Sequence, residues 1–146
     1  MTFLTKISHT SLLCCKYFGS ELSETFQHSL RVARFASESP LLKAEDEKEI
    51  AYLIGLCHDL IEDTKCTYKE IVTATGLDED FVRYVLDALT KRTHETYEEY
   101  ILRLRKCNSK HAYIVKLADM KDHLSQTETL TDELKEKYLK ALPVLL

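Results

Sequence analysis

Apolar residues recur along most of the chain at three- and four-residue intervals, the period of helices that bury one face. The pattern predicts a helix over 3–18, around the cluster Leu12-Leu13-Cys14-Cys15. A second runs from Ser23 to about Ser37, with Phe26, Leu30, Ala33 and Phe35 among its apolar positions, and Pro40 marks the turn beyond it. Glu45-Asp46-Glu47 is an acidic start that complements a helix dipole. It leads into Ile50-Ala-Tyr-Leu-Ile-Gly-Leu-Cys57, a segment apolar almost all round and therefore expected to be buried on nearly every side. Thr67 and Glu70 have the spacing of a capping box for a short helix over 68–75, which Gly76 ends. Asp78 opens a helix over 79–90, with Phe81, Val82, Val85, Leu86 and Leu89 inward. Segments 96–106, 111–125 and 131–142 follow, the last begun by Thr131 and Asp132. No repeat, linker or low-complexity tract divides these elements. The expectation is one all-α domain over 1–146, a bundle of about seven helices.

Composition agrees with that reading. Leu occurs 23 times against 13 for Ile and Val together, and Gly and Pro number only 3 and 2. Unbranched residues suit helices, and so few turn formers disfavour both a β fold and a glycine-rich phosphate loop. The net charge of −4 advertises no nucleic-acid partner. No apolar run approaches a membrane span, and residues 1–9 lack the apolar core of a secretory signal. The five cysteines, odd in number and without a C-x-x-C, fit reduced thiols in a cytoplasmic protein better than disulfides or a zinc knuckle. Cys57 reads as a packing thiol, and His9, His94 and His111, which have no patterned neighbours, read as surface residues.

Chemistry enters where polar residues interrupt apolar helices. The buried segment continues as His58-Asp-Leu-Ile-Glu62-Asp63-Thr64, with three acids and an imidazole in six residues. Read as one helix, His58 with Glu62 and Asp59 with Asp63 form two adjacent i,i+4 stripes. Desolvating unpaired carboxylates costs several kcal/mol at least, so such a cluster needs a partner. A divalent cation would satisfy His58 and Asp59 together, with Glu62 one turn on to orient a water. Lys116, Asp119 and His123 form a second polar stripe, on an apolar helix, and His28 a third intrusion. Taken singly, each has an ordinary explanation: a hydrogen-bonded core histidine, a Lys116–Asp119 ion pair, a solvated helix end. Jointly they make a mixed nitrogen and oxygen site suited to a divalent transition metal, with positions left open for water and substrate.

His28, His58-Asp59 and Asp119 resemble the H…HD…D signature of the HD-domain metal-dependent phosphohydrolases. His58-Asp-Leu-Ile-Glu-Asp-Thr64, Leu89-Thr-Lys91 and Val115-Lys-Leu-Ala-Asp119 are further similar, in this order, to motifs of the RelA/SpoT-type hydrolase domain, and the likeness spans roughly 26–142. The resemblance implies an HD fold and a single bound divalent ion, typically manganese, held by His28, His58, Asp59 and Asp119. It makes Glu62 and Asp63 the pair that positions and activates the attacking water. The prototype reaction is removal of the 3′-pyrophosphate from guanosine tetra- or pentaphosphate.

The sequence departs from that prototype where a polyanion would be held. The approach to His28 is acidic and lacks the usual basic segment and Tyr-x-x-His-Pro, His123 stands where an Asn is usual, and Tyr97-Glu-Glu-Tyr100 replaces a basic helix. Candidate substrate contacts are Lys116, His123, Lys91 and Tyr138. The leading expectation is a phosphohydrolase of a phosphorylated nucleotide. The alternatives are a nucleoside 5′-monophosphatase with the same ligands and, third, a non-catalytic nucleotide sensor.

Overall fold

In the computed structural model, which describes residues 1–146, the chain is helical throughout and has no strand. The elements are α1 (Phe3–Phe18), α2 (Glu24–Ser37), α3 (Glu45–Cys57), α4 (Leu60–Asp63), α5 (Tyr68–Thr75), α6 (Glu79–Leu89), α7 (Tyr97–Lys106), α8 (Lys110–Ser125) and α9 (Asp132–Leu145). The all-α expectation holds: eight of these helices exceed one turn, in line with a bundle of about seven, and α4 is a single turn. The ends follow local chemistry. Ser23, Thr67, Asp78, Thr96, Ser109 and Thr131 each accept a backbone N–H in the first turn of the next helix. Gly76 closes α5 in the left-handed region at φ 68°. The last helix runs three residues beyond its expected end, carrying Pro143 inside it.

The largest correction lies at the acidic segment that follows the buried helix: it is not one continuous helix with it, and its Glu62 and Asp63 are exposed. The Gly55 carbonyl, which a continuing helix would offer to the Asp59 amide, instead accepts the Nδ1–H of His58 at 2.7 Å. Asp59 then turns to φ −100°, ψ −5°, and the helical ladder resumes from the Asp59 carbonyl to Asp63 N–H at 3.0 Å. The break swings Asp59, Glu62 and Asp63 onto the wall of one cavity instead of leaving them in stripes along α3.

Helices α2 and α3 pack along their lengths, and α8 packs against both. They approach most closely at Gly55, where an added Cβ would stand 2.6 Å from Ala33 Cα and 2.9 Å from Ala33 N. These are backbone atoms and cannot rotate away. Only glycine permits this approach, which brings His28 of α2 beside His58 at the end of α3, their ring centroids 5.2 Å apart. Gly55→Ala is accordingly expected to destabilise the fold. The ~1 kcal/mol gained in helix propensity is outweighed by overpacking of ~1–3 kcal/mol, and the histidines are driven apart. A lower denaturant midpoint together with weaker metal uptake would establish this; a raised midpoint would refute it.

Candidate metal centre

Three helices, α2, α3 and α8, converge on one oxygen. Asp119 Oδ1, on α8, faces His28 Nε2 at 2.9 Å, His123 Nε2 at 3.2 Å and His58 Nε2 at 3.4 Å. Asp59 Oδ2 closes the group, 3.1 Å from His58 Nε2 and 3.8 Å from His28 Nε2. The ligating atoms of His28, His58 and Asp119 all lie within 4.8 Å of one another, and all three residues are buried.

What surrounds these atoms fixes which lone pairs point inward. A backbone carbonyl can only accept, so the contact to Gly55 keeps the proton of His58 on Nδ1. His28 Nδ1 donates to Asp122 Oδ2 at 2.6 Å, and Arg31 in turn holds Asp122 Oδ1 at 2.6 Å. Asp119 Oδ2 is taken by Lys116 Nζ at 3.0 Å, leaving Oδ1 for the centre. Two imidazole Nε2 atoms and two carboxylate oxygens therefore aim at one point, and His58 Nε2 is fully buried without a hydrogen-bond partner. An orphaned buried acceptor beside two carboxylates is what a divalent cation would satisfy, so the residues fit the metal.

The electrostatics agree. Burial opposes protonation of His58, but Asp59 and Asp119 outweigh it and hold the imidazole well above its ordinary value. His28 is likewise raised against the pull of burial, mainly by its bond to Asp119. Burial works against ionisation of Asp119, yet Lys116 and the surrounding imidazoles hold its carboxyl well below the usual range. A proton on these histidines does part of the work of a cation, so metal and protons compete and uptake weakens as pH falls.

Beside the centre lies a cavity of about 250 Å³. Glu62 and Asp63 line it with His58, Asp59 and Asp119. Glu62 Oε1 accepts the backbone N–H of Lys91 at 2.7 Å. That amide is steadied because Arg103 grips Glu95 at 2.6 Å and the Thr90 carbonyl at 2.9 Å, pinning the loop after α6. Asp63 is pushed up to about 6 by partial burial and by the neighbouring Asp59 and Glu62. All four expected substrate contacts border the same cavity. Lys116 does so as the partner of Asp119, while the Lys91 backbone anchors Glu62. His123 and Tyr138 are stacked on each other, 5.1 Å apart and 9° from parallel.

Sequence reasoning missed Asp122, Arg31, Tyr97, Tyr100 and Lys137. Asp122 and Arg31 stand three residues after Asp119 and His28, a spacing that puts each on the face of a ligand, and that was the available signal. Tyr97, Tyr100 and Lys137 carried none, because only the packing of α7 and α9 brings them to the cavity. His111 is a correction: it is half-buried, its ring edge-on to Phe81 and its Nε2 3.2 Å from the Glu47 carbonyl. Cys57 is buried, and all five cysteines are free thiols.

A family model for the HD domain matches residues 25–124, which include every residue of the metal centre. The chain belongs to the HD domain family. HD domains are generally metal-dependent hydrolases that bind a divalent metal, and this chain carries a buried His-His-Asp cluster able to hold one. No curated protein and no solved structure matches the chain. No helix is long and apolar enough to cross a membrane.

Outer partners of metal-ligating histidines typically tune affinity 10–100-fold. For this HD domain, Asp122→Asn is therefore expected to weaken divalent-metal affinity by about tenfold or more while leaving the fold intact. Titration of metal-free protein with Mn²⁺ measures it, and an unchanged affinity would remove Asp122 from the site.

Proposed function

We propose that this HD domain is a Mn²⁺-dependent phosphohydrolase that removes the phosphate of a nucleotide carrying a single phosphate group. The supporting observation is the charge lining the cavity. Asp59, Glu62, Asp63 and Asp119 give four negative charges against three on Lys91, Lys116 and Lys137. With a divalent cation and neutral histidines the balance is about +1, which suits one phosphate dianion. A guanosine tetraphosphate calls for several Arg or Lys contacts beyond these.

A divalent cation in the His28, His58, Asp59 and Asp119 set supplies Lewis acidity to a phosphoryl oxygen and lowers the pKa of water. Glu62, tethered through Oε1 by the Lys91 amide, has Oε2 free to orient the attacking water. Asp63, ionising near neutrality, accepts the water's proton as the new P–O bond forms. The ester P–O bond breaks, and Asp63 returns that proton to the departing oxygen. Leu89, Tyr97, Tyr100 and Tyr138 wall the cavity and exclude bulk water.

A second reading, removal of a 3′-pyrophosphate from guanosine tetraphosphate, is favoured by the ordered HDxxEDT, LTK and VKLAD segments. Metal-free protein resupplied with Mn²⁺ and assayed for phosphate and pyrophosphate separates the two. Phosphate from nucleoside 5′-monophosphates supports the first reading. Pyrophosphate from the tetraphosphate alone replaces it with the second, and no release from either substrate or from triphosphates overturns both.

Asp63 also gives a pH prediction. Its folded value of about 6 exceeds the ordinary 3.8, so in that window the folded state binds more protons and stability falls as pH rises. In metal-free protein, Asp63→Asn should raise the melting temperature at pH 8 and leave it unchanged near pH 4. Equal shifts at both would exclude the charge as the cause.

A further inference from the structure

The cavity at the metal centre, about 250 Å³, falls below the ~300–1,000 Å³ of sites that enclose a whole small molecule. A cavity of that size does not enclose a whole nucleotide, so part of one would lie elsewhere. A second cavity of about 430 Å³ adjoins it between α7 and α9, floored by Ile101 and Ala141 and edged by Leu102 and Val144. Tyr97 and Lys137 belong to the walls of both, so the two spaces meet at this pair. Leu102 and Val144 are 44% and 40% exposed, large apolar side chains left at the rim.

Lys137 stands out among the lysines of the junction. Lys116 is bound to Asp119, and Lys91 Nζ reaches the Arg92 carbonyl. Lys137 Nζ instead lies 4.2 Å above the Tyr97 ring and 5.4 Å from that of Tyr138, with no carboxylate paired to it. Two aromatic faces hold this cation at the mouth of the metal cavity, where an incoming anion would be its first partner. Beyond it, the outer cavity has one acid, Glu98, and one further base, Lys140, over an otherwise apolar lining, which suits an uncharged planar group.

We propose that the α7–α9 cavity is the subsite for the nucleobase of the substrate, with Lys137 at its junction with the metal centre as the cation that takes the phosphate. This deepens the monophosphatase reading and rests on it for the orientation of the ligand. The occupant is a planar, uncharged heterocycle linked through a sugar to one phosphate. Its ring lies between Ile101 and Ala141 and extends over the outer edge of Tyr97.

The test uses Mn²⁺-loaded full-length protein and two substrates, a nucleoside 5′-monophosphate and ribose 5-phosphate, which lacks only the base. Leu102→Glu, a rim substitution that leaves the core untouched, should raise KM for the nucleotide about tenfold, with kcat and the KM for ribose 5-phosphate unmoved. Lys137→Gln should raise both KM values and weaken inhibition by inorganic phosphate about tenfold. Equal effects of Leu102→Glu on the two substrates, or none on either, would overturn the subsite. Should the wild type hydrolyse neither substrate, the monophosphatase reading fails, and methyl NMR of the protein loaded with diamagnetic Mg²⁺ decides the subsite by itself. Shifts of the Leu102 and Val144 methyls on adding the nucleotide but not ribose 5-phosphate support it, and unmoved methyls overturn it.

Discussion

Asp119→Asn is expected to remove metal, turnover and stability together. The substitution keeps the shape but deletes one charge and replaces one of the two acceptor oxygens with a donor amide. Asp119 Oδ1 has imidazole nitrogens at 2.9, 3.2 and 3.4 Å, and Oδ2 has the Lys116 ammonium at 3.0 Å. Without the carboxylate, divalent-metal binding should fall below detection and turnover by about three orders of magnitude or more. In metal-free protein, two opposing effects meet. Removing a negative charge eases repulsion with Asp59, but it leaves a buried ammonium uncompensated. Breaking one side of a buried pair costs ~3–5 kcal/mol, and the Lys116 ammonium is in direct contact with the carboxylate at 3.0 Å, so the loss wins. Because the Asp119 carboxyl is held below the usual range, the stability it contributes is present above that range and lost as pH falls through its own lower value. Denaturant midpoints should therefore differ strongly at pH 7 and converge in strong acid. Retained metal at full stoichiometry in the variant would refute the ligand assignment.

Glu62→Gln should do the reverse: keep the metal and lose the reaction. Glu62 is exposed, lies outside the imidazole cluster and is tied to the Lys91 amide at 2.7 Å. A glutamine carbonyl can accept the same N–H, so the loop after α6 should stay in place. What disappears is the anionic oxygen that orients the attacking water, an effect of about 10²–10⁴ on kcat. Metal affinity should stay within about threefold of wild type, since none of the ligands or their outer partners is altered. A variant within tenfold of wild-type kcat would transfer the role to Asp63. A variant that loses metal would instead make Glu62 a ligand.

The two variants together separate binding from chemistry, and they rest on different kinds of information. His58, Asp59, Glu62 and Asp63 were legible because a buried apolar segment runs straight into an acidic cluster, and low-dielectric surroundings make such clusters costly without a partner. Asp119 and Lys116 were legible for the same reason on α8. The geometry among them was not. Spacing along one helix suggested stripes, whereas the His58 side chain takes the Gly55 carbonyl and stops the ladder, turning the acids into a cavity wall.

Asp122 illustrates the other limit. It is 1% exposed and 94 residues from His28, and its three-residue spacing from Asp119 is the one local sign that sets it apart from a surface acid. Tyr97 and Lys137 are likewise ordinary residues of two amphipathic helices until α7 and α9 pack side by side. Caps, apolar periods and buried charges are short-range properties, so the chain by itself determined its helices, most of their ends and the residue types able to hold a metal. Which atoms face one another, which lone pairs are left free and where a substrate can lie depend on contacts between residues distant in sequence. Those contacts were decided by close packing, above all where Gly55 lets α2 meet α3.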